Sequence, residues 1–144
     1  MEMTLGDGFA RSARKFPNKV ACMDDEKGLT YDQLNRRVNR WAQALFGMEI
    51  TKGRHVATLA NNCLSLMEVY LAHLKVGVVT TPLNSRGTPE EICYQAGFTD
   101  SEILIFHEEF TGQAEEIRSR LPQIVSGRSQ EAGFGQLLLF KLAH

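Results

Sequence analysis

The sequence lacks the short motifs by which many enzymes are recognised. Its 144 residues contain no Gly-x-x-x-x-Gly-Lys-Ser/Thr loop for phosphates, no Gly-x-Ser-x-Gly nucleophile turn and no His-Glu-x-x-His metal motif. Gly6 and Gly8 begin like a dinucleotide-binding loop, but Arg11 stands where the third glycine would fall, and no predicted strand precedes them. The residues themselves therefore predict no catalytic, no cofactor-binding and no metal-binding position on this chain.

Cysteine is scarce as well. Cys22, Cys63 and Cys93 are odd in number and widely spaced, which predicts reduced thiols in an intracellular protein rather than a disulfide framework. The N-terminus has no basic-then-apolar signal pattern, and every apolar run is far shorter than a membrane span. We therefore expect a soluble, cytoplasmic protein with no transmembrane segment.

Net charge is also nearly absent. A formal charge of −1 at pH 7 argues against nucleic acid or an anionic membrane as the main partner. The length is that of one ordinary domain, which is large enough to bury a core without disulfides or metals.

The titratable residues do not converge on one chemistry. Adjacent carboxylates such as Glu90 and Glu91 point about 100° apart on a helix, so they do not share a proton. We interpret them as first-turn charges that favour the helix dipole. The histidines on or beside predicted elements are interpreted as structural or surface residues: His55, His73 and His107.

Helical and strand patterns alternate along the chain. The clearest helix covers 30–46, where Thr30 and Gln33 form a capping-box pair and apolar residues recur every three or four positions. Ser65, with Glu68 three residues on, predicts the start of another helix, which Gly77 ends. Further patterns predict helices over 5–16, 88–96 and 112–121, and strands over 19–23, 55–60, 78–81, 102–106 and 123–125.

These elements predict the fold class. The β-branched strand 78–81 suits a central position in a sheet, and Pro82 marks its end because proline cannot donate to a strand ladder. Strands that alternate with helices indicate βαβ units. The predicted fold is therefore α/β, a layered parallel-sheet subdomain with flanking helices.

Several segments occur in a distinctive order: Thr30-Tyr31-x-x-Leu34-x-x-x-Val38-Asn39, Lys52-Gly53-x-x-Val56-Ala57, Leu71-Ala72-x-x-Lys75-x-Gly77-x-Val79-x-x-Pro82-Leu83-Asn84 and Glu91-Ile92-x-Tyr94. This series resembles the N-terminal segment of the adenylate-forming (AMP-binding) superfamily, and it is most similar to acyl-CoA synthetases and fatty-acid–CoA ligases. The resemblance covers 9–107. It assigns 1–125 to the N-terminal subdomain of such a ligase and leaves 126–144 as an unassigned tail, for which a native, a non-native and a disordered segment all stay open.

The resemblance implies an activity for a longer parent protein. Such a ligase uses ATP and Mg²⁺ to convert a fatty or aromatic carboxylic acid to an acyl-adenylate, and then transfers the acyl group to coenzyme A. In the family, the phosphate loop, the acidic residues for Mg²⁺ and ribose, and the mobile lysine all follow the region matched here. We therefore expect the 144-residue chain to be a truncated part that is inactive alone, binds no cofactor and self-associates through uncovered apolar surface.

Two alternatives remain open at this point. One is a stand-alone, non-catalytic binding or interaction module with the same fold, since it too would lack catalytic groups. The other is an unrelated doubly wound nucleotide-binding domain, which would need a glycine-rich first βα turn that the sequence does not contain.

Overall fold

The chain is built from two interleaved units. A computed structural model describes residues 3–25, 27–121, 130–131 and 137–141. The first unit combines Met1–Gly53 with Asn62–Val78, and the second combines Arg54–Asn61 with Val79–His144. Each unit is therefore made of two separate stretches of sequence.

The first unit is a set of helices with one small hairpin. Its strands β1 and β2 pair antiparallel. In chain order its elements are α1 (Leu5–Lys15), β1 (Val20–Asp24), β2 (Lys27–Thr30), α2 (Tyr31–Gly47) and α3 (Leu64–Val76).

Helix α2 confirms the strongest local signal in the sequence. The Thr30 hydroxyl accepts a hydrogen bond from the Gln33 backbone N–H at 3.2 Å, and the Gln33 side chain accepts from the Thr30 N–H at 2.9 Å. This reciprocal pair satisfies two donors that a helix start would otherwise leave unpaired. The apolar stripe then turns inward, with the buried residues Leu34, Val38, Trp41, Ala42 and Leu45.

Helix α3 begins differently from the prediction. It starts at Leu64, and its N-cap residue Cys63 makes no side-chain capping bond, so the Ser65–Glu68 capping box is wrong. The side chain of Glu68 is instead fully buried and pairs with Arg37 of α2. A carboxylate oxygen of Asp24 in β1 lies 3.4 Å from the Leu64 nitrogen, and it serves the helix start from outside the helix.

The end of α3 follows the prediction. Gly77 adopts φ 85°, a left-handed conformation that favours glycine, and its N–H donates to the His73 carbonyl.

Helix α1 packs against α3 at a glycine. A Cβ atom placed on Gly6 would lie 2.9 Å from the backbone oxygen of Leu74 and 2.9 Å from the Cα of Lys75, whereas a Cβ on Gly8 would meet nothing within 4 Å. Since the obstructing atoms are backbone, they cannot rotate away. A side chain is therefore excluded at Gly6 but has room at Gly8, although both glycines lie in the same helix.

We expect Gly6→Ala to lower the free energy of unfolding by about 1–3 kcal/mol, because the added methyl group overpacks the helix contact. Gly8→Ala, the matched control, should raise it by about 0.5–1 kcal/mol, because alanine is the better helix former at an unobstructed position. Urea denaturation followed by circular dichroism measures both. Equal effects of the two substitutions would contradict the close approach of α1 and α3.

The second unit contains the sheet. Strand β3 lies between β4 and β5 and is parallel to both, which confirms the predicted α/β fold with a parallel sheet and flanking helices. Its elements are β3 (His55–Leu59), β4 (Val79–Pro82), α4 (Pro89–Phe98), β5 (Ile103–His107), a 3₁₀-helix (Glu108–Phe110), α5 (Thr111–Arg120), β6 (Gln130–Glu131) and β7 (Leu137–Lys141).

Strand β4 is not central, contrary to the expectation. Within the described residues the strand order is β4-β3-β5-β7-β6, so β4 lies at an edge, where its residues are exposed or half-buried. Pro82 closes this strand as predicted, and the next residue, Leu83, donates its N–H to the Thr58 carbonyl at 2.8 Å.

The core of this unit lies between the sheet and two helices. Helix α4 begins at a capping box of Thr88 and Glu91, with Pro89 in its first turn, and it extends to Phe98, two residues beyond the predicted end. Buried side chains of β3, β5, α4 and α5 meet in one cluster: Ala57, Leu59, Leu83, Ile92, Cys93, Ala96, Leu104, Phe106, Phe110, Ala114 and Ile117.

The C-terminal region is described only in part. The predicted strand 123–125 lies outside the described residues. The backbone of β7 pairs antiparallel with β5, although the sequence there gave no periodicity from which to assign an element. The division into a domain of 1–125 and a separate tail of 126–144 stays a prediction.

Candidate functional site

The connectivity of the sheet predicts a ligand-binding site at one of its edges. The chain passes from β3 to β4 on one side and later to β5 on the other side, so the boundary between β3 and β5 is a topological switch point. In open α/β sheets, ligands bind outside the carboxyl ends of the strands at such a point.

Three polar side chains meet at this edge, and we call them the carboxyl-edge cluster: Asn61, His107 and Glu109. The Asn61 side-chain amide donates to Oε1 of Glu109 at 2.7 Å, and Nδ1 of His107 lies 3.0 Å from the same oxygen. His107 is mostly buried, with 14% of its side chain exposed, while Glu109 is 54% exposed. The cluster thus combines a carboxylate open to solvent with an imidazole held in place behind it.

The chemistry of the cluster is that of orientation and hydrogen bonding. The contact between Nδ1 of His107 and Glu109 is the arrangement by which a carboxylate orients a histidine ring. A carboxylate, an amide and an imidazole can bind a polar ligand at the strand ends. They do not resemble the glycine-rich backbone cradle that holds a triphosphate.

The sequence alone does not single out this cluster, because it predicts no site residues and favours a structural or surface role for His107. A usable signal was nevertheless present. Asn61 follows one predicted strand and Glu109 follows another, and parallel strands bring their carboxyl ends to the same edge of a sheet.

Asn84, which follows β4 at the same edge, has a local role. Its side-chain oxygen accepts from the Arg86 backbone N–H at 3.1 Å, and its own N–H donates to the Gln95 side chain at 3.3 Å. These bonds close the turn between β4 and α4. An open groove of about 440 Å³ lies beside this turn and is lined by Asn84, Glu90, Glu91, Tyr94 and Gln95.

The other two histidines among the described residues, His55 and His73, have structural surroundings. Nδ1 of His55 lies 2.8 Å from the Thr99 carbonyl oxygen. His73 is 1% exposed, and burial lowers the pKa of His73 to about 4, so its ring is neutral at pH 7. A neutral ring inside the first unit is poorly placed to exchange protons with a substrate.

The described residues contain neither a cluster of metal ligands nor a membrane-spanning helix. No group of three or more His, Cys, Asp or Glu side chains within them is arranged to hold a metal ion. None of their helices combines the length and the apolarity needed to span a bilayer.

Solved structures define the class of protein to which this fold belongs. The N-terminal subdomain of Klebsiella oxytoca NpsA, bound to 3-hydroxyanthranilyl-AMSN, superposes with a TM-score of 0.70 and 26% identity, over 72% of this chain and 27% of that one. The N-terminal domain of FACL13 from Mycobacterium tuberculosis gives a TM-score of 0.77 and 25% identity, over 82% and 30%. The fold is that of the N-terminal subdomains of adenylate-forming enzymes.

Sequence relatives make the assignment specific. The AMP-binding enzyme family matches residues 9–135, and the chain belongs to this family. It is 36% identical to the acyl-CoA ligase sidI of Aspergillus fumigatus over 106 aligned residues. The alignment covers 72% of this chain and 18% of that protein. It is 28% identical over 136 residues to the 3-hydroxybenzoate/4-hydroxybenzoate–CoA ligase of Thauera aromatica, covering 90% and 25%.

These relatives are much longer than this chain, which spans only 18% and 25% of their respective lengths. The solved structures that match this chain are an N-terminal subdomain and an N-terminal domain of such enzymes.

Proposed function

We propose that this chain forms the first part of the ligase domain of an acyl-CoA synthetase. The observation that carries the proposal is the family match over 9–135, which runs through both units of the fold. Relatives named as ligases of hydroxybenzoate, 2-succinylbenzoate and fatty acids support a carboxylic acid as the substrate of the whole protein.

The whole protein would join a carboxylic acid to coenzyme A through an acyl-adenylate. ATP would be a reactant and Mg²⁺ the metal cofactor. The described residues of this chain do not fit the nucleotide or the metal, because they provide neither a glycine-rich phosphate loop nor a group of carboxylates at metal-binding distance. The chain's own contribution is the sheet, its packed helices and the polar groups of the carboxyl-edge cluster. We therefore propose that the 144-residue chain is inactive alone and acts in the cytoplasm only as part of the longer enzyme.

The test is ATP–pyrophosphate exchange with a panel of fatty and aromatic acids. We expect the purified chain to give no exchange above the protein-free blank, and a protein extended by the downstream coding sequence to give acid-dependent exchange. Exchange by the 144-residue chain itself would overturn the proposed inactivity. A stop codon directly after residue 144 in the gene would instead favour the stand-alone binding module.

We also propose that the isolated chain self-associates. Tyr94 and Phe98 stack at 5.8 Å on the outer face of α4 and are 69% and 76% exposed, and β4 is an edge strand among the described strands. Light scattering should show an average mass that rises with protein concentration. The double variant Tyr94→Ser with Phe98→Ser should have a lower average mass at the same concentration. A monomer at all concentrations would contradict this proposal.

A further inference from the structure

The end of helix α1 and the turn that follows it carry a local excess of positive charge. Residues 11–20 contain four basic side chains and no acidic one: Arg11, Arg14, Lys15 and Lys19. All four residues are exposed, and among the described residues none of them forms an ion pair with a carboxylate. The net charge of −1 therefore conceals a strongly basic region at one place on the first unit.

The basic groups share one surface with an aromatic ring. Arg14 and Lys15 follow Arg11 by three and four positions, so the three side chains lie on the same face of α1. The Nζ atoms of Lys15 and Lys19 lie 5.2 and 5.9 Å from the centre of the Phe16 ring, so two ammonium groups flank one aromatic side chain. Because Phe16 is 47% exposed, nearly half of its surface is open to solvent beside these charges.

Exposed apolar side chains continue from this ring onto the hairpin. The Phe16 carbonyl accepts from the Lys19 N–H at 3.1 Å and closes a tight turn, which leads directly into Val20 of β1. A Cβ placed on Gly28 would lie 3.7 Å from side-chain carbons of both Val20 and Met23, so these two side chains lie on the same face of the hairpin. They are 52% and 69% exposed. A register shift in β1 explains why residues three positions apart share a face.

We propose that the four cations and the apolar side chains of Phe16, Val20 and Met23, together the basic–apolar patch, dock the protein on the surface of an anionic lipid bilayer. Anionic head groups attract lysine and arginine, and each basic residue strengthens binding about fivefold. Exposed apolar side chains gain by entering the boundary between head groups and acyl chains. Nucleic acid offers phosphates for the cations but no hydrocarbon layer for Val20 and Met23. This inference is independent of the proposed ligase function.

The carboxylates near the patch do not cancel its charge. The Asp7 carboxylate is held by the cap residue Thr4, whose N–H and hydroxyl donate to it at 3.1 and 2.7 Å. The Asp24 carboxylate lies 3.4 Å from the nitrogen of the first residue of α3, so it is directed toward that helix. Asp25 and Glu26 follow in the sequence, and their two charges leave an excess from the four cations.

The experiment is flotation of the full chain with lipid vesicles in a sucrose gradient, which separates lipid-bound protein from self-associated protein. We expect the chain to float with phosphatidylcholine vesicles that contain about 30% phosphatidylserine, at about 50 mM NaCl. Flotation should fall at least about tenfold with pure phosphatidylcholine vesicles, and likewise at about 500 mM NaCl, because salt screens the attraction.

The charged part of the patch is tested by Lys15→Gln with Lys19→Gln. This double variant should lower the partition coefficient about 25-fold, which is about fivefold for each lost cation. Arg118→Gln with Arg120→Gln in α5 changes the net charge equally and is the matched control. It should leave the partition coefficient within about twofold, since salt screens charges that lie away from the lipid. A control as weak as the patch variant would overturn the proposal.

The apolar part of the patch is tested by Phe16→Ser with Met23→Ser. This double variant should lower the partition coefficient about tenfold, because two apolar side chains no longer leave water on binding. Its dependence on salt should be unchanged, because the cations remain. Tyr94→Ser with Phe98→Ser removes two exposed aromatic side chains of α4 and should leave flotation unchanged. Far-ultraviolet circular dichroism shows whether each variant is folded.

A second measurement uses the unchanged chain, so it does not depend on the folding of any variant. Vesicles with phosphatidylserine should slow the acetylation of Lys15 and Lys19 by an N-hydroxysuccinimide ester, as read by mass spectrometry, and leave the rate at Lys52 unaltered. Lys52 is a suitable control because it lies against Gly77 at the end of α3, whereas the hairpin adjoins the start of that helix at Asp24.

The outcomes that overturn the proposal are distinct. It is overturned if the chain does not float with phosphatidylserine vesicles, if it floats equally with pure phosphatidylcholine, or if vesicles protect Lys15, Lys19 and Lys52 alike. Protection of Lys15 and Lys19 by soluble polyglutamate but not by vesicles would also overturn it, and would assign the patch to an acidic protein partner.

Discussion

Replacing Trp41 with alanine is expected to lower the free energy of unfolding by about 3–5 kcal/mol, the range for truncating a large aromatic side chain in a core. Trp41 lies on the buried stripe of α2 and has no exposed surface. Its loss would leave a cavity that the rigid surroundings fill only in part. Chemical denaturation followed by far-ultraviolet circular dichroism is the suitable measurement, because Trp41 is the only tryptophan and its fluorescence disappears with it.

Phe46→Ala in the same helix is the matched control. Phe46 is 56% exposed, so its truncation should cost less than about 1 kcal/mol. If Trp41→Ala cost no more than Phe46→Ala, the assignment of the inner face of α2 would be wrong.

Arg37→Met is expected to destabilise the protein by about 3 kcal/mol, because removing one partner of a buried ion pair strands the other charge. The Glu68 side chain is fully buried, while Arg37 is 41% exposed, which moderates the loss. The second oxygen of Glu68 is buried without a hydrogen-bond partner among the described residues, so this carboxylate relies strongly on Arg37. The same denaturation experiment measures the effect.

The double variant Arg37→Met with Glu68→Met shows whether the stranded charge is the cause. We expect it to recover to within about 1 kcal/mol of the unchanged protein, since well-packed apolar side chains often replace a buried ion pair at little cost. A double variant as unstable as Arg37→Met alone would assign the loss to packing of the arginine stem instead.

The features that could be predicted from the sequence are those with local causes. The capping boxes at Thr30 and Thr88 each involve residues three positions apart, and the structure contains both. Gly77 and Pro82 likewise end their elements because of their own backbone chemistry. Alternation of such elements was enough to give the parallel sheet.

The features that were missed depend on residues far apart in the chain. Ser65 and Glu68 match a capping box, yet the carboxylate of Glu68 is buried against Arg37, 31 positions away. The position of β4 at an edge depends on which strands pair with β3, and β-branched composition does not decide that. The carboxyl-edge cluster joins Asn61 to Glu109 across 48 positions, so only the sheet order brings it together.

The interleaving of the two units constrains how the protein can be divided. The chain crosses from one unit to the other after Gly53, after Asn61 and after Val78, so β3 belongs to the second unit although it is flanked on both sides by the first. No single cut separates the two units from each other, because the shortest continuous pieces that hold them, 1–78 and 54–144, overlap. A split-protein reporter or a domain graft based on one unit would therefore carry part of the other: the piece 1–78 brings β3 along with the first unit, and the piece 54–144 brings α3 along with the second.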